Sequence, residues 1–333
     1  MSPQTVVICA GPALLEQPCT PALRQFVIHT NPASGTGSAT FEFDWTAPEN
    51  DVGPVDFFAA GNAANGNGSN TGDRIYSTTA RLTPEAAGPR PTISQNGVVN
   101  GASFQPGLAP ASWVTIVGTG LASSQELWDD AIIGGQLPES LGGVRVTVNG
   151  RPGFIRFLSP TQINFQSPSD VAVGPVTVQV TRDGVASEAV TANLASVQPA
   201  FFLWQSRYAV ATDHPGGRFR APAGIFPGIT TLPVRPGDIL ILWATGLGTT
   251  DPPMPAGQVV PSDGTFRRVA GQVRVRIGGT EAAVISAVLS PTFVSLYQVA
   301  ITVPETVSDG DQPVVVEVDG VSSPGEVFLF IQR

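Results

Sequence analysis

Two stretches of this chain are one stretch written twice, and that duplication constrains the fold more than any other feature. Residues 158 to 187 read LSPTQINFQSPSDVAVGPVTVQVTRDGVAS, and residues 296 to 323 read LYQVAITVPETVSDGDQPVVVEVDGVSS. Gln162, Pro168, Gly174, Gly184 and Ser187 return as Gln298, Pro304, Gly310, Gly320 and Ser323, each pair separated by the same length of chain, so the register holds without a gap. Between these anchors, Val176, Val178 and Val180 alternate with Thr177 and Gln179, and Val314, Val316 and Val318 alternate with Val315 and Glu317. Such alternation marks a half-buried strand. Each copy then meets a two-residue hairpin signal, Asp183-Gly184 and Asp319-Gly320, a pair that tolerates the positive φ angles a tight antiparallel turn needs. No catalytic group occupies the repeated positions.

The duplication reaches further back. Pro110, Thr119, Gly120 and Leu121 correspond in order and spacing to Pro236, Thr245, Gly246 and Leu247, and Val144, Val146, Val148 and Gly150 to Val273, Val275, Ile277 and Gly279. The repeating unit is therefore a whole domain of about 100 residues, the size of one immunoglobulin-like sandwich. A chain of 333 residues has room for such a pair and one more domain. The 37 glycines and 31 prolines are spread among plentiful Val, Ile, Leu and Phe, which reads as many short strands with many turns.

Charge excludes several functions. The net charge is -9, and all 17 basic residues are arginine. Without lysine there is no Schiff-base chemistry and no lysine isopeptide cross-link. Nucleic-acid binding needs a basic face to displace counterions, and no run supplies one. Arg267, Arg268, Arg274 and Arg276 come nearest, but Arg274 and Arg276 alternate with Val273, Val275 and Ile277 as on a solvated strand face. No apolar run approaches the roughly 20 residues of a membrane span. The opening residues lack the basic start and continuous apolar core of an export signal, so the expectation is that a signal was removed or that the chain begins inside a longer protein.

Cys9 and Cys19 are the two cysteines. In an oxidising compartment they close a small loop worth roughly 2 to 3 kcal/mol; in a reducing one they are spare thiols. A metal site is disfavoured, because the nearest histidine, His29, stands alone in the strand-like FVIHT, and the disulfide is the preferred reading.

Further along, Phe41, Phe43 and Trp45 in TFEFDWTAP predict a strand with one apolar face. The run from Gly61 to Asp73 gathers Asn62, Asn65, Asn67, Asn70 and Asp73 among glycines. Calcium favours such oxygens but usually demands more carboxylates than Asp73, and the competing reading is a long loop with Asn and Gly in left-handed conformations. Between the two repeats, Pro199 to Pro233 carries Trp204, Tyr208, Phe219 and Phe226, with Trp243 beyond, where a sugar ring or a partner would stack or where the rings simply pack the junction. RYAVATDHPGGRF reads as a hairpin with its turn at residues 214 to 217. Catalysis finds no support: His214 sits at a turn tip, no G-x-S-x-G appears, and Asp129-Asp130 or Asp309 with Asp311 are turn acids with nothing to place them across a cleft.

Two resemblances extend this reading. W-T-A-P, F-F-A-A-G-N-A-A-N-G and G-D-R-I-Y, in order over about residues 26 to 84, resemble the second half of the reeler-like domain of secreted bacterial choice-of-anchor proteins, which implies that this chain holds part of that domain. From Gly97 onward, GVVNGASF, LGGVRVTVNG, SPTQINFQSP, RPGDILILWATGLG and LYQVAITVP resemble the Solibacter-type C-terminal domain family of secreted acidobacterial proteins, with tandem immunoglobulin-like domains of the IPT/TIG type. That resemblance implies export and offers no catalytic residues.

The expectation is therefore an all-β chain: a reeler-like β domain over residues 1 to 85, a linker at 86 to 92, and tandem immunoglobulin-like sandwiches at 93 to 198 and 199 to 333. The expected function is non-enzymatic, a secreted or cell-surface structural and adhesive module without cofactor, whose partner is a surface or matrix protein, a second copy, or a glycan. The alternatives are a carbohydrate binder through Trp204, Tyr208, Phe219 and Phe226, and a calcium-dependent binder through Asn62, Asn65, Asn67 and Asp73.

Overall fold

The duplicated sequence register survives as duplicated strand pairing. In the computed structural model, which describes residues 5–9, 15–16, 25–29, 40–47, 52–83 and 90–333, Gln162 faces Val117 across one ladder and Gln298 faces Trp243 across another. Val117 and Trp243 are themselves counterparts, each two residues before the repeated Thr-Gly-Leu. The second ladder agrees: Val144 faces Arg182 and Val148 faces Val178, while Val273 faces Val318 and Ile277 faces Val314.

Each repeat is a sandwich. In the first, one sheet runs Thr92–Asn100, Trp113–Thr119, Gln162–Gln166, Phe154–Leu158, and the other places Gly174–Arg182 between Val144–Val148 and Val190–Leu194. This is the A-B-E-D and C-F-G arrangement of an immunoglobulin constant-type fold. In the second, Ile239–Thr245, Tyr297–Thr302 and Thr280–Leu289 form one sheet, and Val273–Ile277, Gly310–Val318 and Phe328–Ile331 the other. Thr280–Leu289 belongs to both: its start pairs with Val273–Ile277, its remainder with Tyr297–Thr302, and a register shift between Val284 and Ser286 turns the corner.

The turns form as their residues dictate. Asn149-Gly150, Asp183-Gly184, Gly278-Gly279 and Asp319-Gly320 all have both residues at positive φ, the mark of hairpins that match the strand twist. The alternating valines point into two cores. Val144, Val146, Val148, Val178 and Val180 pack with Ile116, Ile163 and Phe165 in the first. Val275, Ile277, Val314, Val316 and Val318 pack with Leu242, Val299 and Ile301 in the second. Each fully buried aliphatic side chain stabilises by about 1.5 to 3 kcal/mol, so the repeated pattern alone supplies a large share of the driving force.

The chain divides into two compact units, Met1–Ala86 and Ala87–Arg333, and both sandwiches lie in the second. In the first unit, Thr5–Cys9 pairs with Leu15–Glu16 and Gln25–His29, and Val55–Ala63 pairs with Arg74–Leu82 from Val55↔Leu82 to Ala63↔Arg74. Segment 40–47, expected as a strand, carries no strand pairing. Phe43 and Trp45 there meet the Phe57 ring at 6.4 and 5.3 Å. The expected Cys9–Cys19 disulfide lies outside the described residues. No helix of the described residues is long and apolar enough to cross a membrane.

Candidate functional site

The segment linking the sandwiches builds the most distinctive surface of the second unit. Leu203–Trp204 and Tyr208–Ala209 form a short hairpin, closed by a bond from Arg207 N to the Trp204 carbonyl with Gln205 and Ser206 at positive φ. Gln205 Nε2 donates to the Ile225 carbonyl at 2.7 Å and ties the hairpin to the loop carrying Phe226. Three of the four expected aromatic residues meet here. The Trp204 ring lies 5.5 Å from Phe219 at 88° and 4.8 Å from Phe226 at 71°. Such edge-to-face contacts are the favoured geometry of a packed aromatic cluster. The rings remain partly exposed, Phe219 by 36%. Trp204 Nε1 is buried and has no hydrogen-bond partner among the described residues.

Tyr208 takes a different part. Its hydroxyl lies 3.1 Å from Asp311 Oδ1, to which it donates, and Arg207 Nη2 donates to Asp311 Oδ2 at 2.6 Å while its guanidinium covers Phe328 at 4.5 Å. These contacts fasten the linking segment to the second sandwich. Trp243, also expected near the group, meets Phe293 at 6.4 Å and donates from Nε1 to Thr212 Oγ1 at 3.3 Å.

A buried charge network holds the turn that presents Phe219. Asp213 and Arg220 are 5% and 8% exposed, and Arg220 Nη2 reaches Asp213 Oδ2 at 3.1 Å. Arg218 donates to the same carboxylate through its amide and its guanidinium, and Arg220 Nη1 donates to the Pro233 carbonyl and approaches Asp238 at 3.2 Å. Burial pushes the Asp213 carboxyl up, but the hydrogen bonds from Arg218 and the charges of Arg220 and Arg218 outweigh it and hold its pKa below the ordinary value.

The Asn-rich loop spends its oxygens on itself. Asp73 accepts from Asn65 N at 3.0 Å and Asn62 Nδ2 at 3.2 Å. Asn65 Oδ1 accepts from Asn67 N, Asn67 Oδ1 from Ser69 N, and both side-chain amides donate to the Thr71 carbonyl. These are the local side-chain turns that Asn and Asp favour. No cluster of three His, Cys, Asp or Glu suited to a metal occurs among the described residues.

Sequence reasoning missed the joint between the sandwiches. Trp113 donates from Nε1 to the Val294 carbonyl at 2.9 Å and from its amide to Thr245 Oγ1 at 3.1 Å. Gln166 donates from Nε2 to Ser295 Oγ at 2.7 Å and accepts at Oε1 from Gly257 N at 2.8 Å, while Ser295 Oγ donates to the Ala111 carbonyl at 2.6 Å. Val294, from the second repeat, packs in the core of the first. A cleft of about 400 Å³ opens beside these groups, lined in part by Met254, Gln258 and Tyr297. Burial pushes the Tyr297 hydroxyl pKa well above its ordinary value, and the hydroxyl donates to the Gly248 carbonyl. A signal existed in the sequence: the counterparts of Trp113 and Gln166 in the second repeat are Ile239 and Thr302. Where the copies differ, one of them is doing something the other is not.

No protein-family model and no curated protein matches the chain. Among solved structures it is similar to the Bacteroides ovatus mixed-linkage glucan utilization locus protein SGBP-B in complex with a mixed-linkage heptasaccharide, at 10% identity over 99% of this chain and 60% of that one, TM-score 0.32. It is also similar to the full extracellular region of plexin A4, at 14% identity over 75% of this chain and 19% of that one, TM-score 0.24. A third is the S-layer protein SbsC, domains 5-6, at 13% identity over 72% and 98%, TM-score 0.20. The chain thus spans less than two thirds of the first two.

Proposed function

We propose that this protein is a non-enzymatic structural and adhesive β-sandwich module of the cell surface or extracellular space. The observation that carries this reading is the joint, where Trp113, Gln166, Gly257 and Ser295 lock one sandwich to the next through buried hydrogen bonds. A flexible tether leaves tandem domains free to reorient, whereas a buried, hydrogen-bonded joint fixes their angle and makes the pair a rigid spacer. The proposal keeps the sandwiches with the IPT/TIG type and the Solibacter-type family, and the first unit with reeler-like domains, on the sequence motifs that carry those resemblances. The test is retention of beads coated with the full chain on matrix protein, on a coat of the same chain and on mixed glycans. Retention above an albumin coat that falls when Gln166→Ala loosens the joint supports it. Equal retention on all coats overturns it.

A second reading, glycan binding, is favoured by one observation: Trp204, Phe219 and Phe226 converge with part of their surface open. A glycan array separates the two, since only the second predicts binding that Trp204→Ala removes while the joint stays intact.

A further inference from the structure

The two sandwiches treat the same strand edge differently. In the second, the outer edge of Phe328–Ile331 is covered along its length. Val234 N donates to the Phe330 carbonyl at 2.9 Å and accepts at its own carbonyl from Gln332 N at 2.8 Å. Upstream, Phe328 N donates to the Arg207 carbonyl at 3.0 Å, and Tyr208 pairs with Phe328 in parallel. In the first sandwich the counterpart of Val234 is Leu108, each two residues before a repeated proline. Leu108 N donates to the Asn193 carbonyl at 3.1 Å and Leu108 O accepts from Ala195 N at 2.9 Å, the same pair of bonds. By ladder position the counterparts of Arg207 and Tyr208 are Ser94 and Gln95, and among the described residues neither is paired with Val190–Leu194.

Thr191 stands where Phe328 stands, two residues before the strand carbonyl that Leu108 or Val234 engages. Backbone groups of a strand point alternately to its two sides, so the Thr191 N–H points the same way as the Asn193 carbonyl, away from Gly174–Arg182. The prolines agree: Pro175 faces Asn193 and Pro313 faces Phe328, and a residue without an N–H is at no loss opposite an outward-pointing one. Thr191 therefore offers an outward donor that its counterpart uses.

That donor faces a groove of about 440 Å³ between Val190–Leu194 and the Thr92–Asn100 strand. The far wall is held back by a bulge. Pairing with Trp113–Thr119 shifts register between Ile93 and Val98, Asn96 adopts φ 55°, and a Cβ on Gly97 would meet the Val117 carbonyl at 2.5 Å. Ser94, Gln95, Asn96 and Thr191 line the opening, and no lining residue is charged.

We propose that this groove is a β-augmentation site: it receives an extended, uncharged segment of a partner polypeptide. That segment lies parallel to Val190–Leu194 and accepts the Thr191 amide hydrogen as Arg207 accepts that of Phe328. The chain itself supplies the argument for this occupant: its second copy closes the equivalent slot with an extended strand, whereas in the first the corresponding strand, Thr92–Asn100, is held back by its bulge and leaves the slot open. Main-chain hydrogen bonds give such docking its affinity, and the neutral lining disfavours a charged segment. The proposal stands apart from the aromatic cluster and from where the protein resides.

The probe is the peptide acetyl-Tyr-Ala-Val-Ala-Thr-amide, the uncharged sequence of residues 208 to 212, added to the isotopically labelled full chain at about 5 mM, enough to fill most of a millimolar site. Amide resonances of residues 94 to 97 and 190 to 193 should shift, and the Thr191 amide should exchange more slowly with solvent. Thr191→Pro removes the outward donor and spares the ladder to Thr177; it should weaken binding at least ten-fold with melting nearly unchanged. Ser94→Trp, an exposed position on the far wall, should block the groove with the same loss, and covers the case in which the proline variant does not fold. Unshifted 190 to 193 resonances, or shifts that persist undiminished in the variants that fold, would overturn the proposal.

Discussion

Gln166 Nε2 lies 2.7 Å from Ser295 Oγ, a contact between the two sandwiches across 129 residues of chain. The Gln166 side chain also accepts the Gly257 amide hydrogen, and Gly257 approaches so closely that a Cβ there would sit 2.5 Å from the Phe154 ring. Gln166→Ala would leave the buried Gly257 donor without a partner, which costs about 1 to 3 kcal/mol. Gln162→Ala, on the same strand but half-exposed, should cost about 0.5 kcal/mol or less. Urea denaturation of both variants checks this, and equal losses would mean that the joint adds nothing to stability.

The repeated serines give a second, internally controlled prediction. Ser187 Oγ accepts from Val180 N at 3.1 Å while its amide donates to the Val180 carbonyl, and Ser323 does the same with Val316 at 3.1 Å. Replacing either serine by alanine removes the acceptor from a buried strand amide and should cost about 1 to 2 kcal/mol at each site. Hydrogen exchange should accelerate at Val180 in one variant and at Val316 in the other. A large loss in one sandwich and none in the other would contradict the equivalence of the two sites.

This equivalence was legible in the sequence because local rules govern it: alternation set the buried face, and Asp-Gly and Asn-Gly set the turns. The duplicated Ser and Gln followed from register alone. Features made by chain brought together from afar were not legible. Trp204, Phe219 and Phe226 were expected near one another only because they are close in sequence, while Tyr208, equally close, went to Asp311. Segment 40–47 alternates as a strand does, yet alternation records which side chains share a face and not whether a neighbouring strand is present to pair. Trp113 joins the sandwiches through Val294 and Thr245, partners in the other repeat that no local pattern around it marks.

The Asn-rich loop predicts a negative result for calcium. A cation would compete with the amide hydrogens already bound to Asp73, Asn65 and Asn67. A site filled at ten times its Kd would add about 1.4 kcal/mol and a visible rise in melting temperature. No rise is expected between chelator and about 5 mM calcium, a level that saturates a sub-millimolar site. A reproducible rise abolished by Asp73→Ala would restore the calcium-dependent reading.

Acid should loosen the turn that presents Phe219 before it unfolds either core. Asp213 is the buried carboxylate to which Arg218 and Arg220 both bond, and its pKa is lowered in the folded protein. A carboxyl with a depressed folded pKa contributes stability that is fully present above its unfolded value, about 3.9, and is lost as pH falls through the folded value. Asp213→Asn removes that contribution at every pH and leaves Arg220 with Asp238 and the Pro233 carbonyl, so near neutrality it should cost about 3 kcal/mol. The gap between native protein and variant should therefore be constant above about pH 5 and shrink below about pH 4. Urea midpoints across that range test the sign directly. A gap that widened on acidification would mean that burial, which raises the carboxyl pKa, outweighs the two arginines.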